Sequence, residues 1–353
     1  MAGLVARLWN ESDPGLRARL AALYAGLLAA NLLVWIWAFV ALRGNAVAFG
    51  SAVLAYSFGL RHAVDADHIA AIDNATRKLM QQGQRPVGVG LFFALGHSAV
   101  VLLMSIAVGF ATAELSAHFE DFKAVGGIIG TSASATFLFL LAALNLVVLV
   151  SVCNTFRAVR RGEPFSGDDF DVLLNSRGLL ARLFRPLFRL IGRSWHLFPI
   201  GFLFGLGFDT ATEVALFGIS AVQAANGASF GTLLVFPALF TAGMTLIDTS
   251  DGVLMLGAYG WAFMKPIRKL YYNITITAVS VLVAVLIGGI ETLGLIGDRL
   301  KLEGPFWDAI GALNDNFGVL GYVIVGVFVA SWLVSLAIYK ARGYDATEVK
   351  ARA

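Results

Sequence analysis

Apolar runs about as long as a bilayer is thick recur along this chain, at roughly 20–42, 47–70, 87–112, 127–153, 197–221, 230–257, 273–297 and 318–340. A hydrocarbon core about 30 Å thick takes ~20 helical residues to cross. Lipid offers no partner to a free backbone N–H or C=O, so spans of this length must be helices. The expected fold is an all-α integral membrane protein with eight transmembrane helices. With 58% hydrophobic and 14% charged residues, the chain is too apolar for a water-covered surface. The first run lacks a short hydrophobic region ending in a small-residue cleavage site, so no cleavable signal peptide is expected.

Charge placement sets the orientation. With the N-terminus inside, the inner segments (1–19, 71–86, 154–196, 258–272 and 340–353) hold 21 Lys or Arg, the outer ones only 4. Positive residues collect on the cytoplasmic side, so both termini are expected there. The chain reads as a single membrane domain over 1–353: spans one to four in 1–153, a cytoplasmic loop over 154–196, and spans five to eight in 197–353. Within the loop, Arg182, Arg185, Arg189 and Arg193 recur at helical spacing, so either a surface-lying helix over Leu179–Ile191 or a solvated connector fits. Phe58-Gly-Leu60 precedes one acidic cluster and Phe204-Gly-Leu206 another. These lie in oppositely directed spans two and five, which hints at an inverted repeat of two four-helix halves.

Span two contains Arg61-His-Ala-Val-Asp-Ala-Asp-His-Ile69. Ionisable groups at membrane depth are costly and usually line a substrate path. On a regular helix His62, Asp65 and His68 fall within an arc of roughly 120°, with Asp67 about 100° to one side of His68. Two imidazoles and two carboxylates suit a borderline divalent cation, so His62, Asp65, Asp67 and His68 are the expected metal ligands. The single Cys153 excludes a cysteine-based zinc site. Further polar groups at depth are His97 in span three, Asp209 and Glu213 in span five, and Asp248 and Asp251 in span six. His97 fits either metal contact or a bridge between helices. The two acidic pairs fit ligation, gating or capping. Asn31 and Asn145 are the notable polar groups of spans one and four.

The stretch from Arg61 to Lys78 resembles the signature of the nickel/cobalt transporter (NiCoT) family. So do Phe93-Ala-Leu-Gly-His-Ser-Ala-Val-Val101, Leu206-Gly-Phe-Asp-Thr-Ala-Thr-Glu-Val214 and Ala242–Met255, in the same order. The resemblance implies eight spans with cytoplasmic ends, and high-affinity uptake of Ni²⁺ or Co²⁺ across a bacterial cytoplasmic membrane. It also implies that His62, Asp67 and His68 are essential, and that Val64 and Asn31 influence the choice of metal, with Val64 leaning toward nickel.

Nickel or cobalt thus enters as cargo, and no cofactor is expected. Membrane lipid is the expected surrounding, and no nucleic-acid partner is expected. The sequence has no nucleotide-binding P-loop, so ATP coupling would need another subunit, and nothing in the sequence requires one. Two other classes compete: a nickel/cobalt efflux protein, and an intramembrane metalloenzyme. The 154–196 loop has one histidine, His196, where related exporters carry a histidine-rich loop, and the metalloprotease motif His-Glu-x-x-His is absent.

Overall fold

The computed structural model describes residues 14–110, 113–161, 191–207, 211–262 and 266–341. Asp209, most of the expected surface helix and both chain ends lie outside these residues. Regular structure among the described residues is helical. In chain order the helices are α1 (Pro14–Ala41), α2 (Ala46–His62), α3 (Ala66–Gln81), α4 (Val89–Phe110), α5 (Ala113–Arg160), α6 (Leu197–Gly205), α7 (Ala211–Ala225), α8 (Phe230–Leu233), α9 (Val235–Ala262), α10 (Pro266–Leu300), α11 (Pro305–Asn314) and α12 (Phe317–Ala341).

Each of the eight apolar runs is helical, but not every run is one rod. Six stretches are long and apolar enough to cross a membrane: α1, α4, most of α5, α8 with α9, α10 and α12. A seventh is the pair α2 and α3, bent by 51°. The remaining run, around 197–221, consists of α6 and α7, which have 9 and 15 residues, each short of a span. The breaks therefore fall in runs two and five, the same two that share the Phe-Gly-Leu pattern. Polar interruptions in the sixth run do not break it: Asp248 and Asp251 sit inside the continuous α9. Helix α11 lies where only an outer loop was expected.

Local chemistry accounts for several boundaries. Asn45 caps α2 by accepting from the Ala48 N–H at 3.0 Å, meeting one of the orphan donors of a first turn. At the far end, Val64 N–H bonds Arg61 O at 3.0 Å and Asp65 N–H bonds His62 O at 2.9 Å, tightening the last turn. Asp65 is then extended and occupies the N-cap of α3, yet its side chain makes no cap hydrogen bond. That carboxylate is used elsewhere.

The most deeply buried element is also among the least apolar. Helix α3 buries Ala66 and every residue from His68 to Leu79. Its apolar side chains pack with Phe93 of α4, Leu138 and Leu141 of α5, Ile287 of α10 and Ile324 of α12. The segment 71–86 was expected to be a cytoplasmic connection, but Arg77 is 1% and Lys78 3% exposed. Removing them from the charge count leaves 19 inner against 4 outer residues, so the asymmetry stands. A second core joins Ala52 and Ala55 of α2, Val100 of α4, Leu216 of α7 and Phe240 of α9. Helix α1, by contrast, exposes Leu28, Leu32, Leu33, Ile36, Phe39 and Val40. That apolar area is far beyond what a soluble monomer shows to water.

Two close approaches fix the helices around the break. A Cβ on Gly90 of α4 would overlap the Asp248 carbonyl of α9, and one on Gly321 of α12 would overlap the Val64 carbonyl. Only hydrogen fits at either position. The α2–α3 corner therefore seats directly against α12, with the Arg61 guanidinium and Asp65 Oδ1 beside Gly318 one turn away.

Candidate metal site at the break of span two

Because the helix stops at His62 and restarts at Ala66, His62 and His68 lie on either side of a corner rather than along one rod. Their rings are 4.7 Å apart, and the His97 ring of α4 lies 4.7 Å from His62 and 4.8 Å from His68. All three residues are buried, with one ring nitrogen from each lying within 4.8 Å of the others.

Each nitrogen can be followed to its partner. His62 Nδ1 is 3.0 Å from Asp65 Oδ2 and 3.2 Å from Thr212 Oγ1. His68 Nδ1 is 3.2 Å from Asp248 Oδ2. A carboxylate on one ring nitrogen fixes the tautomer and leaves the other nitrogen as a lone-pair donor, the arrangement metal-bound histidines use. For His68 that other nitrogen, Nε2, is buried without a hydrogen-bond partner among the described residues. For His62 it faces His97: the two Nε2 atoms are 2.9 Å apart. His97 Nε2 is also 2.9 Å from Glu213 Oε1, and His97 Nδ1 has no hydrogen-bond partner among the described residues. With His62 Nδ1–H given to Asp65, His97 Nε2–H is the donor toward both Glu213 and His62.

The spacing suits a cation. Donors about 2.1 Å from an ion and at right angles are about 3.0 Å apart, close to the His62–His97 separation. Trans donors would be about 4.2 Å apart, so a pair at the 4.8 Å limit closes by roughly half an ångström to share one ion. Glu213 Oε1, 3.9 Å from His62 Nε2, supplies the nearest negative charge on that side.

The structure thus distributes the sequence-identified residues over two layers. His62, His68, His97 and Glu213 meet at the centre. Asp65 and Asp248 stand behind two of the imidazoles. Asp67 lies half-buried at the start of α3. Asp251 lies one turn further along α9 from Asp248, and among the described residues its Oδ2 has no hydrogen-bond partner. Asn31 bonds Leu27 O at 2.9 Å and Ala242 O at 3.3 Å, and accepts from the Tyr56 hydroxyl at 3.0 Å. It therefore ties α1 and α2 to α9 without touching the histidines. Val64 forms the corner itself.

Sequence reasoning passed over Thr212, and over a buried network beneath the site. There the Tyr259 hydroxyl donates to Asp73, Arg77 Nη2 donates to Asn74 Oδ1 at 3.0 Å, and Asn145 Nδ2 donates to the same oxygen at 2.6 Å. The i,i+4 spacing of Asp73 and Arg77 was the available signal. Glu291, bonded by Ser134 Oγ at 2.8 Å, was missed in an otherwise apolar span.

Comparison with known proteins completes the description. The sequence model for high-affinity nickel-transport proteins (NicO) matches residues 48–338. A high-affinity nickel transport protein of Cupriavidus necator is 58% identical over 335 residues, 95% of either chain. The hydrogenase nickel incorporation protein HupN of Bradyrhizobium diazoefficiens is 50% identical over 91% of this chain and 84% of its own. The cobalt transport protein NhlF of Rhodococcus rhodochrous is 39% identical over 93% of either chain. No solved structure matches. With the match spanning both halves and all described site residues, the chain belongs to the high-affinity nickel-transport protein family.

Proposed function

We propose that this multi-pass membrane protein takes up Ni²⁺ with high affinity, with Co²⁺ as a second cargo, across the bacterial cytoplasmic membrane, and that the ion passes through the site at the α2–α3 corner. The observation that carries the reading is the meeting of His62, His68 and His97 inside the bundle, with Asp65 and Asp248 behind two of the rings. Nitrogen-rich donors with one nearby carboxylate hold a borderline cation reversibly, where thiolates would hold it too firmly. His62, His68 and His97 are the ligands of this proposal, with Glu213 closing the shell. Asp67 draws the cation toward them, and Asp251 receives it on the inner side. An efflux direction or enzymatic chemistry has no such support in a family of nickel transporters.

The same reading has eight spans with cytoplasmic ends, supported by the 19-to-4 charge asymmetry. The breaks in runs two and five support an inverted repeat, since discontinuous helices at matching positions mark transporter sites. Selectivity acts through shape: Asn31 sets the seat of α9, which carries Asp248, and Val64 sets the corner angle. Entry is driven by an inside-negative potential, worth about 2.3 kcal/mol per charge per 100 mV and about twice that for a dication.

The test is accumulation of radiolabelled nickel in cells expressing the chain, its His68→Ala variant, or an empty vector. Cobalt, zinc and manganese serve as competitors. Accumulation above the vector that disappears in the inserted, folded variant is expected. Accumulation below the vector would reverse the direction, and undiminished uptake by the variant would remove the site.

A further inference from the structure

At one end of the bundle a cavity of 700 Å³ opens between α1, the α3–α4 connection and the residues preceding α6. Its lining has two characters. Arg19, Arg85 and Arg193 supply guanidinium groups, while Leu23, Val87 and Phe92 supply apolar surface. All three arginines are exposed, and the three apolar side chains are half-buried. No carboxylate lines the cavity among the described residues. The arginines come from stretches far apart in sequence. Gln84 Nε2 donates to Gly192 O at 2.8 Å, pinning the connection that carries Arg85 to the segment that carries Arg193.

We propose that this cavity binds an anionic phospholipid, its phosphate held by Arg19, Arg85 and Arg193 and the start of an acyl chain laid against Leu23, Val87 and Phe92. Arginine is suited to phosphate because its planar fork presents paired donors. A soluble phosphate would use the guanidinium groups but leave the apolar wall wet. A lipid uses both. Basic pockets between membrane helices at an inner leaflet recognise anionic headgroups in this way. All three stretches belong to segments counted as inner, and on the proposed orientation the site faces the cytoplasmic leaflet. The binding itself does not depend on that orientation. It is also independent of the metal site, because no lining residue is among the histidines or acids there.

The experiment uses the full-length protein in a neutral detergent, with retention of added phosphatidylglycerol, cardiolipin or phosphatidylcholine read by native mass spectrometry. A second arm adds inorganic phosphate in large excess. The wild type is expected to retain the two anionic lipids in preference to phosphatidylcholine, undisturbed by phosphate. Each Arg→Gln change at 19, 85 or 193 is expected to weaken retention about fivefold, since a basic group near an anionic surface contributes about 1 kcal/mol. The triple Arg→Lys variant keeps the charge, shows that the fold survives at these positions, and is expected to stay much closer to wild type than the triple Gln variant. Equal retention of phosphatidylcholine, or wild-type retention by the triple Gln variant, would overturn the proposal. Displacement by phosphate would overturn the lipid assignment in favour of a soluble anion.

Discussion

At the scale of single residues, the site depends on which nitrogen of each imidazole carries its hydrogen. Asp65 accepts from His62 Nδ1 and so leaves the Nε2 lone pair facing the centre of the site, where it accepts from His97. Asp65→Asn can turn an amide N–H toward Nδ1, move the ring hydrogen to Nε2 and block the coordinating side. Nickel affinity should fall 10–100-fold, the usual cost of losing such an outer partner, as measured by calorimetric titration of the purified protein. His97 differs, because its Nε2–H already points at Glu213 and His62. A cation held there must displace that hydrogen, either to Nδ1 or out of the site. Protons and nickel therefore compete for the imidazoles. Lowering pH should raise the concentration needed for half-maximal uptake, and raising pH should lower it. A half-maximal concentration that does not change with pH would contradict histidine ligation. The histidines of span two were legible as a cluster from residue type and spacing. The convergence of His97 and Glu213 was not, because 35 and 116 residues separate the bonded partners and only folding brings them together.

At the scale of elements, hydropathy identified each apolar run but not where a run is broken. The corner at Ala63–Asp65 occurs in residues that fit a helix well. It exists because Asp65 turns from capping to His62 and because α12 offers a glycine where the Val64 carbonyl must fit. Only the first of these causes lies within the segment. Helix α3 was misplaced for the opposite reason: its polar content resembles a connection, yet neighbours on every side bury it. Gly321→Ala should test the seat of the corner. Its new methyl group meets the Val64 carbonyl, and overpacking of this kind typically costs about 1–3 kcal/mol. A lowered melting temperature and reduced uptake are expected. Gly218→Ala in α7, where a Cβ meets nothing within 4 Å, is the control and should leave both unchanged or raise stability slightly.

At the scale of the whole molecule, 19 inner against 4 outer positive residues predict where the chain's end lies. Alkaline phosphatase fused after Ala353 should stay inactive in bacteria, and the same enzyme inserted beside Lys301 should be active. Clamping the membrane potential to zero should also lower the steady-state nickel gradient, because a dication loses a driving force of about 4–5 kcal/mol per 100 mV. These expectations concern direction and energy, and the corner adds a mechanical one. His62 ends one rod and His68 lies on the next, across an angle of 51°. A cation bound to both acts as a splint across that joint. Loaded at the proposed site, the two rods would be braced and move as one body; unloaded, packing and the His62–Asp65 contact hold the angle. At the proposed site the cargo would thereby set the stiffness of its own carrier, and the leg of the cycle that returns without metal would be the supple one.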